Sequence, residues 1–200
     1  MQQDCVSERP LFGGAVTSTF PHRLQDLSNI RQVPDHQEAF ADPARDESLI
    51  FELLDLKRDV SDNESAVWFF QDLMTEQDAG NLGMEAVEQP RMVYYGNMPA
   101  VMTKAVGQMD ISKGRQGREA QNKVKVFLAN LRLKGAGTDV LITAYEPILI
   151  NPLSESASTV GAGFAVPAAQ CGCMPMAEIF ELAVSTFKVH DWSLFGTGSS

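Results

Sequence analysis

The chain is short of several things, and each shortage closes off a class of protein. Three cysteines in 200 residues, Cys5, Cys171 and Cys173, are too few and odd in number for a disulfide framework. No stretch approaches the roughly 18 uninterrupted apolar residues of a membrane span. Positive charge is scarce: 16 Lys and Arg stand against 26 Asp and Glu, a formal net charge of −10. A phosphate backbone or an anionic membrane surface would be repelled, so neither nucleic acid nor membrane is an expected partner. Residues 1–10 carry neither a basic n-region nor an apolar h-region, so no secretory signal is expected and the thiols should be reduced.

Chemistry-bearing motifs are missing too. The sequence contains no G-x-x-x-x-G-K-[ST], G-x-S-x-G, H-E-x-x-H or C-x-x-C. Cys171-Gly172-Cys173 offers two thiols, but His22, His36 and His190 are too scattered to complete a tetrahedral zinc site by local spacing. Neither a metal nor a cofactor is expected. What is present is ordinary for a globular chain: 44% hydrophobic and 21% charged residues. At this length about 70% of the unfolded surface can be buried, enough for a core without staples.

We read residues 1–200 as a single domain with flexible ends at 1–10 and 196–200. Residues 11–20 suit a short strand behind the pair Gly13-Gly14. Gln37–Ala41 and Ser48–Lys57 flank a turn-like insert and are predicted to form a hairpin, although Leu49, Leu53 and Leu56 also fit a helix. Ser61-Asp62-Asn63-Glu64 has the form of a capping box, and Ala66, Phe69, Phe70, Leu73 and Met74 follow at helical spacing. Asp78–Asn81 should end that helix with a left-handed residue.

From 92 to 150 the pattern is that of strands, with Ala100–Ile111, Lys123–Leu133 and Val140–Ile150 joined by Gly-bearing turns. Their apolar residues occupy both faces, which predicts a sheet covered on both sides. Residues 151–174 lack periodicity and are read as a long mobile loop. After Pro175, the residues Met176, Ile179, Phe180, Ala183, Val184 and Phe187 mark a second core-facing helix. Hairpins plus helices give an α+β layered fold.

The sharpest local feature is Val33-Pro34-Asp35-His36-Gln37-Glu38. Pro34 stiffens the chain just before a predicted strand and so presents Asp35 and Glu38 rigidly. Three readings fit: an Asx-turn followed by a solvated strand-start charge, an acidic pair aimed at a cationic partner, or a glycosidase-like carboxylate pair without the usual sugar-binding aromatics. Lys113, Arg115, Arg118, Lys123 and Lys125 form the one basic run, either a solvated hairpin tip or a patch for an acidic partner or nuclear import. Trp68 and Trp192 read as packing residues.

Leu11-Phe12-Gly13-Gly14-Ala15, Arg31-x-Val33-Pro34-Asp35-x-Gln37-Glu38, Asp46-Glu47-Ser48-Leu49-Ile50-x-x-Leu53-Leu54 and His190-Asp191-x-Ser193-Leu194-Phe195 occur in this order. In this the chain resembles the Mog-type Ran guanine nucleotide release factors, over about residues 11–195. The resemblance implies a Mog/PsbP-like fold, a largely antiparallel sheet between helical layers in a three-layer α/β/α arrangement. It also implies binding to the small GTPase Ran, nucleotide-free or GTP-bound, with release of its guanine nucleotide in support of nuclear transport, in nucleus and cytoplasm. A regulator of this kind needs no catalytic chemistry of its own. In that family the acidic residues of V-P-D-x-Q-E contribute to the Ran surface, here Asp35 and Glu38; Arg31, Gln37 and Asp46 join them as neighbours in sequence only. The alternative is a PsbP-like extrinsic subunit of a photosynthetic complex, which would share the fold but require a lumenal targeting segment.

Overall fold

The computed structural model describes residues 4–112 and 116–196. Strand β1 (Val6–Leu11) turns through Phe12–Gly14 into β2 (Val16–Pro21), and a two-residue β3 (Gln25–Asp26) follows. β4 (Gln37–Asp42) and β5 (Glu47–Asp55) form the expected hairpin, leading to helix α1 (Ser65–Glu76). Next come β6 (Gly80–Val87) and β7 (Arg91–Tyr95), then the long strands β8 (Met98–Ile111), β9 (Asn122–Leu133) and β10 (Thr138–Ile150). The chain closes with α2 (Ala157–Val160), β11 (Gly163–Phe164), α3 (Met176–Ser185) and β12 (Lys188–Val189).

The main sheet is antiparallel throughout, in the order β3-β4-β5-β10-β9-β8-β6. β7 pairs with the first half of β8, and β11 with the end of β10. Alternation along β9 explains the double cover. Val124, Val126 and Leu128 face α1, where Ala66, Phe69 and Phe70 are buried. Phe127, Ala129, Leu131 and Leu133 face the other way, against Ile179, Phe180, Ala183 and Val184 of α3 and Phe20 of β2. That second face is therefore closed by one helix together with a smaller sheet, β1-β2-β12. The architecture is sheet-dominated, with one substantial helix per face rather than two helical layers.

Three local expectations need correction. The N-terminal stretch is not a loose end from Val6 onward, because Val6–Leu11 pairs residue for residue with Val16–Pro21. Asp4 is held too, accepting from Arg23 Nε at 3.0 Å and from the Met174 amide at 2.8 Å. The capping box does not cap: Ser61 Oγ donates to Glu64 Oε2 at 2.8 Å, and α1 begins one residue later without a side-chain cap. Its far end does turn through a left-handed residue of Asp78–Asn81, Asp78 at φ +46°. Nor are residues 151–174 a structureless loop. The Asn151 amide donates to Asn122 Oδ1 at 2.8 Å, Asn122 Nδ2 reaches Ser154 Oγ at 2.9 Å, and both Ser154 and Ser156 are buried. Polar side chains from the sheet, which carry no periodic signal, tie this segment down. Residues 1–3, 113–115 and 197–200 lie outside the described residues, and with them most of the end expected to be flexible at 196–200 and the basic residues Lys113 and Arg115; Arg118 and Lys125 pair with Asp78 (3.1 Å) and Glu85 (3.2 Å).

A buried ion pair locks the approach to α1. Asp139, fully buried on β10, accepts from Arg132 Nε at 3.1 Å, from Asn130 Nδ2 at 3.0 Å and from the Lys57 amide at 2.7 Å. Arg132 in turn donates to the carbonyls of Lys57 and Val60 and to Asp62. Removing one member strands the other as an uncompensated buried charge. Asp139→Ala should lose about 3–5 kcal/mol in urea unfolding, whereas Asp59→Ala, whose pair with Lys57 is exposed, should change it by under about 1 kcal/mol.

Candidate functional site

The segment before β4 is built by short-range hydrogen bonds. Asp26 accepts the Ser28 amide at 2.8 Å, opening a single 3-10 turn over Leu27–Asn29. The Leu27 carbonyl accepts from both Ile30 and Arg31 at 2.9 Å. Ile30 is left 73% exposed. Pro34 then starts a second turn, its carbonyl accepting the Gln37 amide at 2.9 Å, with Asp35 and His36 at the tip. The Leu53 amide donates to the His36 carbonyl at 2.9 Å, joining the tip to β5.

The two acidic residues of this motif do different things. Asp35 is exposed, and its carboxylate makes no hydrogen bond or ion pair with any described residue. Glu38 is half-buried, and its Oε1 accepts the Phe12 amide at 2.8 Å. Phe12 has φ +51°, a left-handed conformation that a bulky residue seldom adopts, and Gly13 and Gly14 continue it at +69° and +89°. Glu38 thus pins a strained turn between β1 and β2. It shares its sheet face with Phe51, its partner across the ladder, on the side of α3.

Gln37 points to the opposite face, where it sits across from Glu52. With Glu52, Asp72, Leu73 and Glu76 it lines a cleft of about 220 Å³ between the sheet and α1. Burial raises the Glu76 carboxyl above its ordinary value, and repulsion from Asp72 and Glu52 adds to this, offset by His36. His36 Nε2 lies 3.4 Å from Glu52 Oε1. An adjoining cavity of about 350 Å³ is lined by Arg31 and Asp46, and both cavities share Ile50, Gln77 and Tyr145. Asp46 Oδ2 accepts from Ser156 Oγ at 2.6 Å. Arg31, Gln37 and Asp46 therefore gather along the α1 face, Asp35 stands at the turn above it, and Glu38 faces away.

Sequence reasoning passed over Glu52, Asp72 and Glu76. Two signals were there: Asp72 and Glu76 are like charges at i and i+4, an arrangement that costs helix stability unless a neighbour uses it, and Glu52 interrupts an apolar strand. Together they make a concave, negative surface suited to a basic partner. No group of three or more His, Cys, Asp or Glu among the described residues is arranged to hold a metal ion. No helix among them is long and apolar enough to cross a membrane.

The family model described as Ran-interacting Mog1 protein matches residues 9–147, a span that includes Arg31, Asp35, Gln37, Glu38, Asp46, Glu52, Asp72 and Glu76. The chain belongs to the Ran-interacting Mog1 family. It is 38% identical over 154 residues to the Ran guanine nucleotide release factor of Danio rerio, covering 75% of this chain and 83% of that protein. The Bos taurus protein of the same name is 33% identical over 192 residues, covering 94% and 96%. The nuclear import protein MOG1 of Saccharomyces cerevisiae is 30% identical over 200 residues, covering 94% and 84%. The crystal structure of the Saccharomyces cerevisiae Ran-binding protein Mog1p superposes with a TM-score of 0.64 at 23% identity, over 97% of this chain and all of that one, a likeness of fold.

Within this Mog1-family chain, Glu38 gives a testable pH signature. Burial lifts its carboxyl above the ordinary 4.5, the Phe12 N–H pulls back, and Asp26 adds to the rise. A carboxyl with a folded-state pKa above its unfolded one favours folding while protonated; that gain is complete below the unfolded value and is lost as pH rises through the folded one. Glu38→Gln keeps an oxygen for the Phe12 N–H and removes the titration. Its stability relative to wild type should rise between about pH 4 and about pH 7, read from urea midpoints; an unchanged difference would show that burial does not govern this group.

Proposed function

We propose that this chain binds the GTPase Ran and promotes release of its guanine nucleotide, supporting transport between nucleus and cytoplasm, where it acts as a regulator without catalytic chemistry of its own. The observation that carries the reading is Asp35: an exposed carboxylate without a partner among the described residues, held at the tip of a proline-initiated turn, inside the segment matched by the family. The acidic cleft of Glu52, Asp72 and Glu76 extends the same negative surface.

A GTPase holds its nucleotide through a P-loop lysine and a magnesium ion on the phosphates. A carboxylate presented on a stiff turn competes for such a cation without having to be ordered first, so little conformational entropy opposes docking. Release then requires that the factor bind nucleotide-free Ran more tightly than loaded Ran, because only differential affinity shifts the equilibrium. By reciprocity, nucleotide weakens the complex by the same factor. Arg31, Gln37 and Asp46 would flank the contact on the α1 face, while Glu38 would act indirectly, by holding Phe12 and the start of β4 in place. The net charge of −10 disfavours nucleic acid and anionic membrane as partners in this role.

The test is release of a fluorescent guanine nucleotide from Ran. Asp35→Lys, at an exposed position, should remain folded and weaken binding to nucleotide-free Ran by about 2–5 kcal/mol, roughly 30-fold or more, with release slowed in step. Asp35→Lys releasing nucleotide as fast as wild type would remove Asp35 from the interface. No complex with Ran in any nucleotide state would remove the function.

A further inference from the structure

The far end of the main sheet carries a surface of the opposite character. β7 pairs only with β8, and β12 only with β2, so each strand has an outer edge. Among the described residues, no backbone group of Arg91–Tyr95 or Lys188–Val189 bonds to anything beyond those ladders. The two strands flank one open groove of about 580 Å³, lined by Arg91, Val93 and Tyr95 on one side and by Lys188, Val189 and His190 on the other.

Its lining contains Arg91, Lys188 and His190 but no Asp or Glu, in a chain of net charge −10. The two cations among them, Arg91 and Lys188, are lightly committed, whereas His190 Nε2 meets Thr17 Oγ1 at 2.7 Å. Arg91 donates to the thioether of Met102 at 3.6 Å, a weak acceptor that leaves most of the guanidinium fork unused. Lys188 lies 3.7 Å from Glu8, with both side chains more than half exposed, a pair worth little in water. The floor is apolar: Tyr95 and Phe187 meet edge-on at 5.6 Å, with Val93 and Val189 beside them. Cations at the rim, apolar side chains below and an unpaired strand edge alongside are the three elements by which a sheet captures an extended peptide.

We infer that this groove docks an extended segment of a partner protein that alternates acidic and apolar side chains, added as a strand to the outer edge of β7. β7 is the chosen edge because its five residues offer a ladder, whereas β12 has two. Acidic side chains of the segment meet Arg91 and Lys188, and the alternate apolar ones rest on the Tyr95–Phe187 floor. In the sheet order this edge and Asp35 lie at opposite ends, five strand spacings or about 24 Å apart. The inference is independent of the Ran reading.

Fluorescence anisotropy with a labelled octapeptide of alternating Glu and Val tests it on the full chain. Saturable binding is expected, weakening steeply with salt, and Arg91→Glu combined with Lys188→Glu should reduce it about tenfold or more. Both positions are exposed, so circular dichroism should show the variant folded. Asp35→Lys should bind the peptide as wild type does. The same peptide N-methylated on alternate amides should bind far more weakly, since it cannot complete the ladder. Absence of binding, equal binding of a Lys and Val octapeptide, equal binding of the N-methylated form, or indifference to the double charge reversal would each overturn the inference and leave Arg91 and Lys188 as guards against edge-to-edge association.

Discussion

Strands of 14, 12 and 13 residues run consecutively through the middle of this molecule, and their side chains are apolar on both sides. That burden decides what else has to exist. Each large side chain taken fully out of water contributes about 1.5–3 kcal/mol relative to leaving it exposed, so neither face can stay wet. α1 closes one face with Ala66, Phe69 and Phe70. The other is broader and takes α3 together with the β1-β2-β12 sheet, where Phe20, Phe40 and Phe51 pack with ring centroids 4.8–6.2 Å apart. With both faces consumed by packing, the surfaces left for partners are corners and edges. The Pro34 turn beyond the β4 edge and the groove beside β7 are where such surfaces occur.

The same economy governs the carboxylates. Asp139 and Glu47 are buried beside arginines, Asp139 against Arg132 and Glu47 against Arg23 and Arg45, where they join loops to the sheet. Glu38 serves a strained backbone turn. Once these structural duties are subtracted, the charge that remains is unevenly spread: Asp35 with Glu52, Asp72 and Glu76 near one end of the main sheet, and Arg91 and Lys188 near the other. A net charge of −10 conceals this polarity, because a sum over the chain carries no positions.

Much of the scaffold was legible because it rests on short-range rules. The apolar run on both faces of Val124–Leu128, the Gly-bearing turn at Lys134–Thr138 and the 3.6-residue repeat after Pro175 each act over a few residues, and β9, β10 and α3 appear where these signals place them. β6 was not legible. Gly80 and Gly83 dilute its strand character and most of its side chains are exposed, so only pairing with β8 makes it a strand. The order of residues 151–174 was hidden for a related reason, since Asn122 and Asp46 hold that segment from 29 and 110 residues away.

At the candidate site, the residue types in Val33–Glu38 and the stiffness imposed by Pro34 could be read directly. Which way each carboxylate points could not. Asp35 sits at the tip of the Pro34 turn and Glu38 within β4, so proximity in the motif does not make them a pair in space. The amino-acid order by itself determined the double-faced sheet, the hairpins and the stiff acidic turn, since these follow from periodicity and local backbone preference. The division of labour among the charges came only with the tertiary structure. Phe12 stands 26 residues before Glu38 and Arg132 is drawn to Asp139 by a hairpin, so a free carboxylate can be told from an occupied one only after the chain has folded.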